Sequence, residues 1–150
     1  MASPWYLVFL LFLAYLLSFL DRQIIALLID PIKNDLHITD FQFSLLHGLG
    51  FGVFFALFGI PIALAADRWK RSRIIGMGII VWSAMTVYCG LARSYFQLFL
   101  GRIGVGVGEA ALAPAAYSLM ADVFDRKRLP AAMAVFSMGS TLGSGLAFLL

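Results

Sequence analysis

Charged residues and cysteine are scarce in this sequence of 150 residues. Asp, Glu, Lys and Arg make up 13% of it, against about 25% in an ordinary soluble domain, whereas 62% of the residues are hydrophobic. This composition excludes an ordinary soluble domain and predicts an all-α integral membrane protein. The single cysteine, Cys89, excludes an internal disulfide.

The charge balance excludes two further classes of protein. The net charge is +3, but the basic residues gather in two short loops beside apolar runs, so we expect no nucleic-acid partner. No helix of this sequence would carry a serine–histidine pair, paired catalytic aspartates or a cluster of metal ligands. We therefore expect neither an intramembrane enzyme nor a bound metal or cofactor.

Five apolar runs are long enough to cross a bilayer, which needs about 20 residues of helix. They cover about residues 5–29, 41–66, 74–92, 95–121 and 131–150. We expect the first, second, fourth and fifth to form helices of more than 20 residues. Asp30-Pro31 predicts that the first helix stops there, and a short polar loop is expected over residues 32–40.

The adjacent charges Asp21 and Arg22 interrupt the first run. A helix that ended at Leu20 would be about 24 Å long, short of the ~30 Å hydrocarbon core. Including residues 24–29 corrects the length and places both charges inside the membrane. The alternative is a helix that ends at Leu20, which would leave residues 24–29 as an exposed apolar tail.

The fourth run contains two more charges, Arg102 and Glu109. They are seven residues apart, so both project from one face of a helix. A charge near the bilayer centre costs about 2.5–3.5 kcal/mol, so these two must face protein or a watery cavity. Such a charged face is typical of a helix that lines the path of a transported substrate. The alternative is a structural ion pair buried in a closely packed helix.

Glycines are concentrated in the same run. Their small size lets neighbouring helices approach closely. The four residues are Gly101, Gly104, Gly106 and Gly108. In the second run, the spacing of Gly48 and Gly52 predicts a similar close-packing face.

The loops between the runs differ in basic residues. Two of them together hold Arg68, Lys70, Arg71, Arg73, Arg126, Lys127 and Arg128. The loops on the other side hold only Lys33 and Arg93. Because Lys and Arg are enriched in cytoplasmic loops, we expect the two basic loops and the N-terminus to lie in the cytoplasm.

Three segments resemble the major facilitator superfamily. Residues 63–73 resemble its signature loop, G-x-L-a-D-R-x-G-R-[KR], with Ala63 and Lys70 in place of glycines and Ser72 in place of a basic residue. Residues 102–108, followed by Pro114, are similar to its pattern for the fourth helix. Residues 137–145 resemble the beginning of its glycine-rich fifth helix.

Two shorter segments resemble one branch of that superfamily. Residues 19–23 and 106–110 look most like the Spinster branch, whose members, bacterial ones included, transport lysolipids or sphingolipid-type molecules. The anion–cation symporter branch shares an Asp-Arg in the first helix and a related Glu-Ala in the fourth. The resemblance implies that residues 1–150 are the incomplete N-terminal six-helix half of a longer transporter. We expect it in a bacterial inner membrane, completed by a C-terminal part.

The resemblance also implies that the first and fourth helices line a central cavity. We expect Asp21 and Glu109 to take up and release a coupling proton, because burial and loss of a charged partner favour a neutral carboxyl group. Arg22 and Arg102 would pair with these acids or bind an anionic headgroup.

The superfamily pattern further implies a cytoplasmic gate. Its residues would be Asp67, Arg68, Arg71 and Asp122. The alternative interpretation of these four is ordinary charge flanking the membrane.

Together these features predict a secondary active transporter that works by alternating access. It would be coupled to protons and would move an amphipathic or anionic substrate, such as a lysolipid or sphingolipid-type molecule. Membrane lipids would surround it. One alternative is a carrier of small organic anions. Another is a non-transporting membrane component whose charges form structural pairs.

Overall fold

The computed structural model describes residues 3–150, and Met1 and Ala2 lie outside the described residues. Five helices are long and apolar enough to cross a membrane. We call them the first to fifth spans: Pro4–Leu27, Asp40–Arg68, Arg71–Gly90, Tyr95–Val123 and Leu129–Ala147. Within residues 3–150 the chain forms helices and no strands, so the predicted all-α membrane fold is confirmed.

The first span continues past the charged pair and ends at Leu27, which excludes the alternative end at Leu20. A short connecting helix, Ile29–Leu36, follows almost at once. The predicted stop at Asp30-Pro31 and the predicted polar loop over residues 32–40 were therefore wrong. Proline is tolerated there because the first turn of a helix needs no backbone N–H donors.

The fifth span is shorter than predicted. It contains 19 residues, from Leu129 to Ala147, whereas the first, second and fourth contain 24, 29 and 29. It begins before the expected Ala131 because Pro130 fits the first turn of a helix. The prediction of more than 20 residues is confirmed for the other three and was wrong here.

The second span is wound irregularly near its beginning. Thr39 caps it, accepting a hydrogen bond from the Gln42 N–H, and the Gln42 side chain accepts one from the Thr39 N–H. Residues Leu45–Val53 then form a π-helix before regular α-helix resumes at Phe54–Arg68. Three glycines in the π-helical segment lower its preference for the regular α form.

The fourth span lies at the centre of the bundle, and its glycines make the close contacts. A Cβ added to Gly108 would lie 2.6 Å from the backbone N of Trp82 in the third span. One added to Gly106 would lie 2.9 Å from the Phe51 carbonyl oxygen in the second span. Among residues 3–150, no atom lies within 4 Å of a Cβ added to Gly48 or Gly52, so this part of the chain does not use the close-packing face predicted for them.

Contacts at the two ends of the bundle fix which ends lie together. Trp5 contacts Phe124 edge-on, with ring centroids 5.2 Å apart, which places the start of the first span beside the end of the fourth. At the opposite end, the Tyr95 hydroxyl donates to the Gln42 carbonyl at 3.0 Å. Both basic loops therefore lie at the same end as the N-terminus.

Candidate functional site

Two ion pairs join the first span to the fourth inside the bundle. The Arg22 Nε donates to Glu109 Oε2 at 2.6 Å, and Arg102 Nη1 lies 3.6 Å from Asp21 Oδ2. Neighbours in the first span thus pair with residues two helical turns apart in the fourth. The structure brings together all four residues predicted from the sequence. We call them the charged quartet.

The quartet is withdrawn from the surface to different degrees. The Glu109 side chain is 0% exposed and Arg102 1%, whereas Asp21 and Arg22 keep 20% and 22%. Two acids and two arginines carry no net charge, which limits the cost of removing them from water.

The hydrogen bonding of the quartet is incomplete. Glu109 Oε1, Asp21 Oδ2 and the Nε and Nη2 of Arg102 are buried and have no hydrogen-bond partner among residues 3–150. At 3.6 Å, the Asp21–Arg102 contact is an ion pair without a hydrogen bond. Buried polar atoms of this kind leave capacity to bind water, a proton or a polar ligand group.

Aromatic rings surround the Arg22 guanidinium. Its Cζ lies 4.6 Å from the ring centroid of Phe19, 4.9 Å from that of Phe51 and 4.8 Å from that of Phe55. The Phe51 ring also lies 5.0 Å from the Cζ of Arg102, so it contacts both arginines of the quartet. Cation–π contacts hold a guanidinium in an apolar setting without adding negative charge.

Sequence reasoning missed Phe19 as a partner of Arg22 and Ser18 as a buried residue of the same helix face. Phe19 and Ser18 precede Arg22 by three and four residues, so both share its face of the helix. Ser18 is buried to 1% exposure beside the quartet. The helical spacing from a charged residue was the signal that could have identified them.

A cavity of about 340 Å³ opens beside the quartet towards the connecting helix. Asp21, Arg102 and Thr86 supply polar groups to it, and Ile24, Ile25 and Leu28 supply apolar ones. Two acids, Asp21 and Asp35, line it together with Arg102, so its polar part suits a headgroup that can pair with the arginine and donate hydrogen bonds to the acids, while the alkyl lining suits an apolar body. Among the described residues, no three His, Cys, Asp or Glu side chains are grouped to hold a metal.

The four residues predicted for the gate are only partly brought together. Arg71, at the start of the third span, forms an ion pair with Asp122, near the end of the fourth. Asp67 and Arg68 are exposed, and within residues 3–150 neither forms an ion pair.

A family model for the Major Facilitator Superfamily matches residues 11–150. The chain belongs to the major facilitator superfamily. Its relatives include an MFS-type efflux pump of Mycolicibacterium smegmatis, 36% identical over 93% of this chain and 33% of that protein. The sphingosine-1-phosphate transporter SPNS2 of Mus musculus is 31% identical over 93% of this chain and 26% of that protein.

A solved structure identifies the branch. The chain superposes with a TM-score of 0.93 and 43% identity on a bacterial homologue of the human lysosomal transporter Spinster, in an inward-facing and occupied conformation. The match covers 98% of this chain and 32% of that one. The predicted Spinster-like membership is confirmed, and since these relatives are transporters, so is the prediction that the chain belongs to no enzyme.

The chain spans about a third or less of the length of these relatives. It is an integral membrane chain of a transporter family, and its residues 3–150 contain five helices long and apolar enough to span a bilayer.

Proposed function

We propose that this chain is part of the N-terminal half of a secondary active transporter that works by alternating access and is coupled to protons. The observation that carries the proposal is the charged quartet. Glu109 and Arg102 are almost fully buried charged residues of the fourth span. Their ion-pair partners come from the first span. Charges at such depth are costly, so they are retained where they serve a function.

Coupling would arise from the exchange of partners within the quartet. When Arg22 pairs with Glu109, the carboxylate is neutralised by the arginine. If the first span moves away from the fourth, a proton can replace the arginine as the group that neutralises Glu109. Asp21 and Arg102 would act in the same way, since their contact is already looser by about 1 Å.

For the substrate we propose an amphipathic anion such as a lysolipid or a sphingolipid-type molecule. The cavity beside the quartet supports this class, because Arg102 lines it together with isoleucine and leucine side chains. The SPNS2 relative, named for sphingosine-1-phosphate, agrees with the same class. A small organic anion remains the alternative, since it would use the arginines without the alkyl lining.

We also propose the orientation and the location. The two basic loops lie at one end of the bundle, and that end would face the cytoplasm by the positive-inside rule. We propose a bacterial inner membrane, since the solved relative with 43% identity is bacterial.

Flux measurements on the full-length protein in liposomes test the proposal. An imposed proton gradient should drive uptake of a fluorescent lysolipid, and uptake should stop when the gradient is collapsed with a protonophore. Gradient-driven uptake of small organic acids but not of lysolipids would favour the organic-anion carrier. A lack of flux of either class, in protein that is folded and inserted, would favour a non-transporting component.

A further inference from the structure

A second cavity lies away from the charged quartet, between the second, third and fourth spans. It has a volume of about 190 Å³ and is lined almost entirely by apolar groups. Its floor is formed where the third and fourth spans meet, because a Cβ added to Gly78 would lie 2.8 Å from the Gly108 carbonyl oxygen. The walls carry Trp69, Met77 and Val81. We call it the apolar groove.

The apolar groove continues into a basic surface. Trp69 and Met77 also line an adjoining opening of about 440 Å³, whose other lining residues are Lys70 and Arg73. Both cationic side chains are exposed, and among residues 3–150 neither has an acidic partner. An exposed tryptophan at the join is typical of the boundary between hydrocarbon and headgroups.

We propose that this surface binds one anionic phospholipid, with its phosphate on Lys70 and Arg73 and an acyl chain in the apolar groove. Charge complementarity carries the headgroup assignment, since residues 67–73 contain four basic residues and one acid. The apolar lining carries the chain assignment, because a soluble anion would gain nothing from Met77, Val81 and the glycine floor. The site would retain a membrane lipid, and it is separate from the cavity beside the charged quartet.

One position in the site departs from the superfamily pattern noted above. Lys70 stands where the signature loop has a glycine, so the positive charge facing the lipid phosphate is a property of this chain. Trp69 occupies the variable position beside it, where its ring borders both the apolar groove and the basic opening. The neighbouring Ser72 removes a basic residue, which leaves Lys70 and Arg73 as the pair nearest the groove.

Native mass spectrometry of the full-length protein, extracted from vesicles with equal amounts of phosphatidylglycerol and phosphatidylcholine, tests the headgroup. We expect wild type to retain phosphatidylglycerol preferentially. Lys70→Gln with Arg73→Gln should reduce that retention about 25-fold, since each basic residue near an anionic surface contributes about fivefold. The matched control is Arg126→Gln with Lys127→Gln, which removes the same charge from the other basic loop and should leave retention unchanged.

A groove-filling variant tests the acyl chain. Val81→Trp places a large ring in the groove and should release the bound lipid, whereas Val87→Trp on an exposed part of the same span should not. Excess glycerol phosphate should fail to displace the lipid, because it has no acyl chain.

Three outcomes would overturn the proposal. Equal loss of phosphatidylglycerol in both charge variants would mean that the basic end attracts anionic lipid without a defined site. Displacement by glycerol phosphate would mean that the surface binds phosphate alone. Indifference to Val81→Trp would mean that another part of the full-length protein covers the groove. None of these measurements depends on transport.

Discussion

The structure contains arginine–carboxylate pairs in two very different settings. The charged quartet joins the first and fourth spans within the bundle, where Glu109 is 0% exposed and Arg102 1%. The Arg71–Asp122 pair joins the third and fourth spans at the basic end, where the two side chains keep 25% and 55% of their exposure. Both settings contain arginine and carboxylate groups, but water has more access to the Arg71–Asp122 pair than to Glu109 and Arg102.

This difference determines what each pair can do. In water, breaking an ion pair costs little because hydration replaces the partner, and exposed pairs contribute about 0–1 kcal/mol. Inside the bundle the partners are largely shielded from water, so removal of one partner costs about 3–5 kcal/mol. The Arg71–Asp122 pair, whose aspartate is exposed, is suited to open and close with smaller changes in free energy than the quartet. The quartet is suited to respond when a proton or a ligand takes the place of a partner.

The largest expected effect follows from removing Arg102. Arg102→Ala leaves Asp21 without an ion-pair partner among the described residues and gives the quartet a net negative charge. We expect a loss of about 3–5 kcal/mol in stability, together with loss of transport. Thermal unfolding of the purified full-length protein in detergent measures the first effect and liposome flux the second.

Arg126→Ala is the matched control, since it removes an exposed arginine from a basic loop. Its melting temperature should equal that of wild type. If Arg102→Ala were as stable as wild type, removing a buried partner would cost no free energy of unfolding. The proposed difference between the quartet and the Arg71–Asp122 pair would then be wrong.

The next effect separates coupling from stability. Glu109→Gln keeps the size of the side chain and a hydrogen-bond acceptor for Arg22, but it cannot gain or lose a proton. We expect normal insertion and continued exchange of substrate between equal concentrations, with loss of uptake driven by a pH gradient. The measurement is flux in liposomes with and without that gradient. Full gradient-driven uptake in the variant would assign Glu109 a structural role only.

The sequence predicted the presence of five spans and the continuation of the first span past its charged pair, because hydropathy and helical spacing depend on local composition. Asp21 and Arg22 had to lie inside the membrane to make the first helix long enough, and Arg102 and Glu109 had to share a face. The partners within the quartet could not be predicted, since two acids and two arginines allow two pairings. Rotation of each helix about its axis decides between them.

That rotation depends on packing that the sequence does not specify residue by residue. The close approach of Gly106 to the Phe51 carbonyl oxygen brings the π-helical segment against the fourth span, and Phe51 then lies between Arg22 and Arg102. Gly48 and Gly52 have the spacing of a close-packing pair, but no helix among residues 3–150 packs against them. A glycine pattern shows where helices can approach closely, and tertiary contacts select which glycines are used.

A smaller effect is expected at the exposed pair. Asp122→Arg places two arginines together and should shift the balance of conformations, while stability changes by less than about 1 kcal/mol. The rate at which a reporter cysteine in the cavity beside the charged quartet is labelled should change. Adding Arg71→Asp to Asp122→Arg should restore the wild-type labelling rate. Asp67→Asn should change the rate less than Asp122→Arg, since Asp67 has no ion-pair partner among the described residues. A shift that the double reversal does not restore would exclude the Arg71–Asp122 pair as part of a gate.

The smallest effect belongs to Lys33 and Asp40, a pair between the connecting helix and the start of the second span. The hydrogen bond from Lys33 to Asp40 raises the pKa of this exposed lysine above its ordinary value. A raised pKa means that the pair stabilises the folded state fully below the lysine's ordinary pKa of about 10.4 and loses that contribution only as the pH rises through the higher value. Lys33→Gln should therefore lower the melting temperature slightly, by the same amount at every pH between about 6 and 8. Melting curves of wild type and variant across that range measure the difference. A difference that varied with pH there would mean that Lys33 interacts with a group that titrates near neutrality, and the pair would no longer serve as the simple exposed reference for the charged quartet.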